Sequence, residues 1–401
     1  MRCFRLVLFL SLTAAIALAA SVGCASLKNA DPTDPGADAG DGGTADGSIT
    51  PEDDAAGDGP KGDGEGGPAP AVCTEATCPL EEVLKDLYGP VSIAVNTSHL
   101  YVIEVGSVPN NNNYGMLSRI AKSLTCKARS CFTILEGRVL NGQLQGQNIY
   151  EAHVALGLND VCYTQSFNTN AQHSVRCFAL TTLVRRAFDD GAGALIDLWV
   201  GAAEARWVLQ STTATSANGF IMGRPLTGGT TTTLAPARNN PSGVASDGTK
   251  TYWSEIGAAS PQGTINTLAD GGGVAIATGR ANPTSIRLYG QYLYWIEAAK
   301  MVVMRGRTDG TGTPEQIAIT DDNPIELSVD ATGVYWISAG LGGGLSGSLA
   351  HAPLTPGGAI TVMMKDLNNV YSFAVDTGHV YVATVGQMIP DGKIVRIKKS
   401  L

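Results

Sequence analysis

Asn282-Pro283-Thr284-Ser285-Ile286-Arg287-Leu288, followed by Leu293-Tyr294-Trp295-Ile296-Glu297, returns 41 residues later as Asn323-Pro324-Ile325-Glu326-Leu327-Ser328-Val329 and Val334-Tyr335-Trp336-Ile337-Ser338. Apolar residues alternate in each copy (Ile286 and Leu288, Leu327 and Val329). A period of two reads as short strands, not helix. Weaker copies centre on Tyr252-Trp253, Tyr381-Val382 and Tyr101-Val102, while Cys162 (followed by Tyr163) and Trp207 fill the long gap between 101 and 252. The anchors 101, 162, 207, 252, 294, 335 and 381 step by 61, 45, 45, 42, 41 and 46. That makes seven units, with six or eight as the alternative counts. In this alignment the residue three past the anchor is polar in all seven units (Glu104, Gln165, Gln210, Glu255, Glu297, Ser338, Thr384). The residue eight before it is apolar in all seven (Ile93, Val154, Trp199, Val244, Ile286, Leu327, Phe373).

Turn signals such as Asp247-Gly248, Gly271-Gly272 and Gly357-Gly358 cut each unit into four strands. Four strands in forty-odd residues, repeated, is the pattern of a β-propeller blade. The last unit ends after its third strand, Ile394-Val395-Arg396-Ile397. Leu84-Lys85-Asp86-Leu87 stands 17 residues before Tyr101, as Met364-Lys365-Asp366-Leu367 stands 17 before Tyr381. The sequence therefore predicts an all-β chain with a single propeller over 73–401, seven four-stranded blades, and a ring closed by the N-terminal strand pairing into the last blade. Closure of this kind removes an exposed sheet edge.

The rest of the chain is a different material. Arg2 and Arg5 precede an apolar stretch from Leu6 to Ala20 and then Ser21-Val22-Gly23-Cys24. A charged start, a short apolar run and a small-residue site read as a signal peptide over 1–23. Its last four residues resemble a lipobox, with Ser21 where Leu is usual, so Cys24 is expected to carry lipid. Ala25 supplies no Asp after the cysteine, which points to a lipid-anchored envelope protein of the outer membrane. Residues 24–72 read as the lipidated cysteine and a disordered tether, since 25–72 hold eleven acidic residues, eleven glycines, six prolines and no aromatic. The tether's net charge equals the −9 of the whole 401-residue chain, and the signal adds +2, so the propeller is near neutral. The acidic balance argues against nucleic acid. A monomer whose membrane contact is the lipid anchor is expected.

Six cysteines in the folded part fall as Cys73/Cys78, Cys126/Cys131 and Cys162/Cys177. An exported chain favours disulfides over zinc, and of the fifteen formal pairings the sequential one fits strand geometry best.

Chemistry-bearing motifs are few. GxSxG, HExxH, Walker A and CxxCH do not occur, and the GxGxxG at Gly342 lies in a strand turn without a βαβ unit. No catalytic residue is assigned and no cofactor is called for. Asn240, Asn282, Asn323 and Asn369 each stand 12 residues before an anchor, where inner strands begin. With Glu104, Glu255 and Glu297 they are expected to crowd the channel mouth as a binding face, the bland reading being bonds to neighbouring backbone. Glu151, His153 and Glu326 on inner strands are weak candidates for a hard cation such as calcium.

The units Pro324-x-x-Leu-x-Val-Asp330-x-x-x-Val-Tyr335-Trp336 and Pro283-x-x-Ile … Tyr294-Trp295-x-Glu297 resemble the YWTD repeats of low-density-lipoprotein-receptor-type propellers. They are also similar to the TolB-like and NHL-like propellers of bacterial envelope proteins. The resemblance spans 79–401, strongest over 240–401; the Thr-Asp of YWTD is missing throughout and the count is seven, not six. It implies binding of a protein or peptide; the anchor, long tether, near-neutral propeller and absent catalytic motifs lead to the expectation of a non-enzymatic module that binds a protein, peptide or glycan at the channel-mouth face. The alternatives are a metal-dependent lyase or lactonase-type hydrolase with its site in the channel, and a structural envelope component.

Overall fold

The computed structural model describes residues 80–399 apart from 106, 109–111, 114–115, 124–130, 137, 141–142, 146–151, 168–171, 211–218, 270–271, 321–322, 341–345 and 387–390. All of them belong to the compact unit Pro70–Leu401. They form seven four-stranded antiparallel sheets and, among the described residues, no α-helix. The first strands of successive sheets touch in an unbroken cycle: Pro90–Val95, Val154–Leu156, Ala194–Val200, Pro241–Ser246, Pro283–Tyr289, Pro324–Asp330, Val370–Val375 and back to Pro90–Val95. They line a central channel and number blades 1 to 7. In blades 1 to 6 spatial order follows chain order, as in blade 5, where Pro283–Tyr289, Tyr292–Glu297, Val302–Arg307 and Glu315–Ile319 lie side by side.

Blade 7 takes three strands from the C-terminal end, and its outer strand is Glu81–Leu87, with Glu81 opposite Arg396 and Leu87 opposite Gly392. Asp86 and Asp366 have the same left-handed φ, 55° and 57°. The two segments that match in sequence therefore match in backbone. A hairpin of Arg138–Leu140 with Gln143–Gln145 stands between blades 1 and 2 and accounts for the long step of 61.

The core lies between blades. Second strands are covered on both faces, so Thr251–Glu255 and Gly333–Ser338 are buried at every residue; a strand packed on both sides is apolar without strict alternation. The anchor tyrosine of one blade meets the aromatic that follows the anchor in the next. Tyr101 clusters with Tyr163, Tyr252 with Trp295, and Tyr294 with Trp336.

That rule corrects the reading of blade 3. Trp207 clusters with Cys162 of blade 2, the place of the residue after an anchor. Leu195 pairs with Leu209 and Asp197 with Val208, as Pro90 pairs with Glu104 and Ser92 with Ile103. The anchor is therefore Arg206, whose guanidinium crosses to Ser246 Oγ (2.5 Å) and Thr251 Oγ1 (2.6 Å) of blade 4. The residue three past it is the apolar Leu209, not Gln210, and the residue eight before it is Leu198, not Trp199. Arginine at a tyrosine position, with tryptophan beside it, shifted the alignment by one.

Part of the glycine excess has a packing reason. The third strands of blades 3, 4, 6 and 7 begin at Gly219, Gly263, Gly347 and Gly392, against the first inner-strand residue of the next blade. A Cβ there would come within 2.1 Å of Pro241, 2.4 Å of Pro283, 2.8 Å of Val370 and 2.5 Å of Pro90. Cys162 and Cys177 face each other on adjacent strands of blade 2 and form the expected disulfide. Cys131 is disulfide-bonded too; its expected partner Cys126, with Cys24, Cys73 and Cys78, lies outside the described residues.

Candidate functional site

The channel mouth was the expected binding face, and the fold does bring its two residue sets together. Pro241 pairs with Glu255, Pro283 with Glu297 and Pro90 with Glu104, so the asparagines just before the inner strands stand beside these glutamates. Their groups are engaged inside the blades. Asn240, Asn282 and Asn369 adopt left-handed φ of 51°, 53° and 50°, which asparagine tolerates better than most residues. Asn240 Nδ2 donates to the Gly257 carbonyl at 3.0 Å and Asn369 Nδ2 to that of Gly386 at 2.8 Å. The Asn323 carbonyl accepts the Ala339 amide at 2.9 Å. Glu104 and Glu297 are 1% exposed. Glu104 accepts the Tyr88 amide at 2.6 Å; Glu255 accepts the Asn239 amide at 3.2 Å and the Trp253 indole N–H at 2.7 Å. Glu297 takes the Ala281 amide at 3.3 Å and pairs with Arg280 at 3.2 Å. These are repeated fastenings of the inner strand pair.

A different column of residues links the inner strands around the channel. Nine residues before each anchor stand Ser92, His153, Asp197, Gly243, Ser285, Glu326 and Ser372. Five of them reach the next blade by the same bond, accepting the amide of the residue eight before its anchor. Val154 N meets Ser92 Oγ at 3.0 Å, Val244 N meets Asp197 Oδ2 at 3.0 Å, and Leu327 N meets Ser285 Oγ at 2.9 Å. Phe373 N meets Glu326 Oε2 at 3.2 Å and Ile93 N meets Ser372 Oγ at 3.3 Å. Register shifts adjoin this position in six of the seven inner strands; such bulges re-aim a side chain out of the pleat.

The belt is uniform in geometry and uneven in charge. Arg287, two residues beyond Ser285, is the single Lys or Arg among the described residues of the seven inner strands. Its Nη1 lies 3.4 Å from Asp197 Oδ2 and 2.9 Å from the Ile286 carbonyl, and its Nη2 lies 3.9 Å from Glu326 Oε1. It thus spans from blade 3 to blade 6. Asp197 is also tied to the Leu198 amide at 2.9 Å. Burial raises the Glu326 carboxyl to about 7, with Asp197 adding to the effect; Arg287, the Phe373 amide and the Ser372 hydroxyl oppose it. Burial lowers the His153 imidazole, opposed by Asp197 and reinforced by Arg287. The channel thus holds one committed ion pair, a carboxyl that changes charge near neutrality and an imidazole that burial holds below its ordinary range.

Of the three metal candidates, His153 and Glu326 join this belt from blades 2 and 6, and Glu151 lies outside the described residues. Among the described residues no group of three His, Cys, Asp or Glu side chains is placed to hold a metal ion. Sequence reasoning missed Asp197 and Arg287. The column reading Ser, His, Asp, Gly, Ser, Glu, Ser would have shown Asp197 had Arg206 been taken as the anchor of blade 3; Arg287 stands outside that column. No helix among the described residues is long and apolar enough to cross a membrane.

No family model matches the chain, and no curated protein matches it in sequence. Among solved structures it is similar to the virginiamycin B lyase of Staphylococcus aureus, with TM-score 0.56 and 12% identity over 79% of this chain and 98% of the other. A streptogramin B lyase structure aligns with TM-score 0.55 and 10% identity over 80% and 97%. The β-propeller domain of the Trilobed protease from Pyrococcus furiosus, described as having an open velcro topology, aligns with TM-score 0.55 and 9% identity over 78% and 97%. At these identities the likeness is one of fold: the chain is a seven-bladed β-propeller of the kind these proteins share.

Proposed function

We propose that the protein is an envelope lipoprotein, anchored through Cys24 and the 25–72 tether, whose propeller binds a protein, peptide or glycan at the channel. The observation that carries this reading is the uneven belt. Asp197, Arg287, Glu326 and His153 place charge and hydrogen-bonding capacity in a channel that the other blades line with serine or glycine. The export signal and lipobox supply the address, and the near-neutral propeller leaves recognition to these few groups. Affinity capture from envelope extract with the full chain should retain a partner that a chain carrying Arg287→Met and Glu326→Gln loses. Retention of the same set by both chains would sink the reading. Incorporation of labelled palmitate, abolished by Cys24→Ala, tests the anchor separately.

A second reading, an enzyme of lyase or hydrolase type, draws support from the same carboxyl. A group that titrates near 7 is poised for general acid–base work, and two of the similar folds belong to lyases. Incubation with virginiamycin B, followed by mass spectrometry, is the direct assay. An unaltered substrate counts against that activity.

A further inference from the structure

We propose that Glu326 receives a primary ammonium group of the ligand inside the channel, the end of a lysine side chain or an amino sugar, with Arg287 and Asp197 as a fixed neutral pair behind it. The inference rests on the channel being the binding site and names the chemistry admitted there. Glu326 Oε2 is held by the Phe373 amide at 3.2 Å, whereas Oε1 comes no nearer to Arg287 Nη2 than 3.9 Å. Arg287 is committed to Asp197 and the Ile286 carbonyl. With the Ser372 hydroxyl as a further donor to it, the carboxylate still has unused lone pairs, and 29% of the Glu326 side chain is reached by solvent. A single oxygen suits the point charge of an ammonium better than a planar guanidinium, which needs a two-oxygen edge.

The groups around Glu326 set the sign. Arg287 of blade 5 and Asp197 of blade 3 cancel, burial disfavours charge on His153 of blade 2, and Ser372 of blade 7 offers a hydroxyl. Protonated Glu326 leaves the described belt without net charge; ionised, it leaves one negative charge short of a partner. Burial is the main cause of the raised titration point and Arg287 opposes it; a bound cation adds to that opposition.

The test uses the full chain and N-acetyl-lysine amide, with N-acetyl-norleucine amide as its uncharged counterpart. Calorimetry in two buffers of different ionisation enthalpy should show proton release on binding the lysine probe near pH 7. With the carboxyl at about 7, its ionised fraction falls about tenfold from pH 8 to pH 6, and the apparent affinity should fall with it. Glu326→Gln should weaken binding at least tenfold. Glu326→Ser, which installs the residue three other blades use for the same inter-blade bond, should do so with the melting temperature retained. Equal binding of both probes, pH-independent binding, or competition by stoichiometric calcium or zinc would overturn the ammonium assignment. So would the absence of any lysine-probe binding, and channel-dependent capture of an envelope partner in that case would leave the broader reading standing.

Discussion

Replacing Leu84 by alanine asks how much of the ring rests on a strand supplied from the far end of the chain. Leu84 is 1% exposed and clusters with Leu87, Ile93, Leu100, Tyr381 and Ile394, drawn from blades 7 and 1. Trimming leucine to alanine removes about three carbon groups, a transfer loss of about 2.4 kcal/mol at roughly 0.8 kcal/mol each. The cavity adds to this, because neighbouring strands fixed by their ladders collapse only in part, and buried Leu→Ala changes span about 2–5 kcal/mol. A cost of about 3–4 kcal/mol, at roughly 2 °C per kcal/mol for a large domain, lowers Tm by about 6–8 °C. Lys85→Ala, an exposed site on the same strand, serves as control and should stay within about 0.5 kcal/mol. Met364→Ala, the matching position in blade 6, is buried in its own cluster and should fall by a similar amount. The assay is scanning calorimetry on the three variants. If Leu84→Ala melts with the wild type while Met364→Ala drops, Glu81–Leu87 is not part of the cooperative ring and the reasoning fails.

Gly263→Ala would push a Cβ to 2.4 Å from Pro283 and 2.7 Å from the Arg280 carbonyl. It should cost about 1–3 kcal/mol in a urea midpoint, against almost nothing for Gly378→Ala, where the nearest atom is 3.9 Å away. Burial alone would raise Asp376, but Lys122 of blade 1 and the Gly378 and His379 amides hold it at about 2, below the 3.8 of a free aspartate. Its contribution is therefore complete above pH 4 and lost as pH falls from 4 to 2. Lys122→Met should lower Tm above pH 4 and converge on the wild type toward pH 2; a constant offset would refute the pairing. Removing the Cys162–Cys177 bridge, which spans 15 residues, by serine at both positions should cost about 3 kcal/mol. A wild-type urea midpoint for that double variant would show that blade 2 does not depend on it.

The blades were legible because the inter-blade core repeats. Each unit offers an aromatic at the anchor or beside it, and Tyr252-Trp253, Tyr294-Trp295 and Tyr335-Trp336, which offer both, announce themselves. Blade 3 was misread by one residue because Arg206 does the anchor's job with hydrogen bonds where other blades use a tyrosine ring. The asparagines and glutamates do meet in register, yet a strand pattern cannot tell whether a glutamate faces solvent or folds back on an amide, as Glu104 does at 2.6 Å. The channel belt escaped for another reason. Its partners are not close in sequence: Arg287 meets Asp197 across 90 positions, a contact made only when seven inner strands form a cycle.

That belt also shows which residues the ring does not need for holding itself together. Ser92, Ser285 and Ser372 make the inter-blade bond with a hydroxyl alone. A carboxylate at the same place makes the same bond and adds the cost of desolvating a charge, several kcal/mol where compensation is incomplete. Asp197 offsets this with a second amide and Arg287, whereas Glu326 is compensated less fully and titrates near 7 instead. Serine at 326 would serve the inter-blade bond as well, so the carboxyl there is in keeping with the proposed role in receiving a ligand.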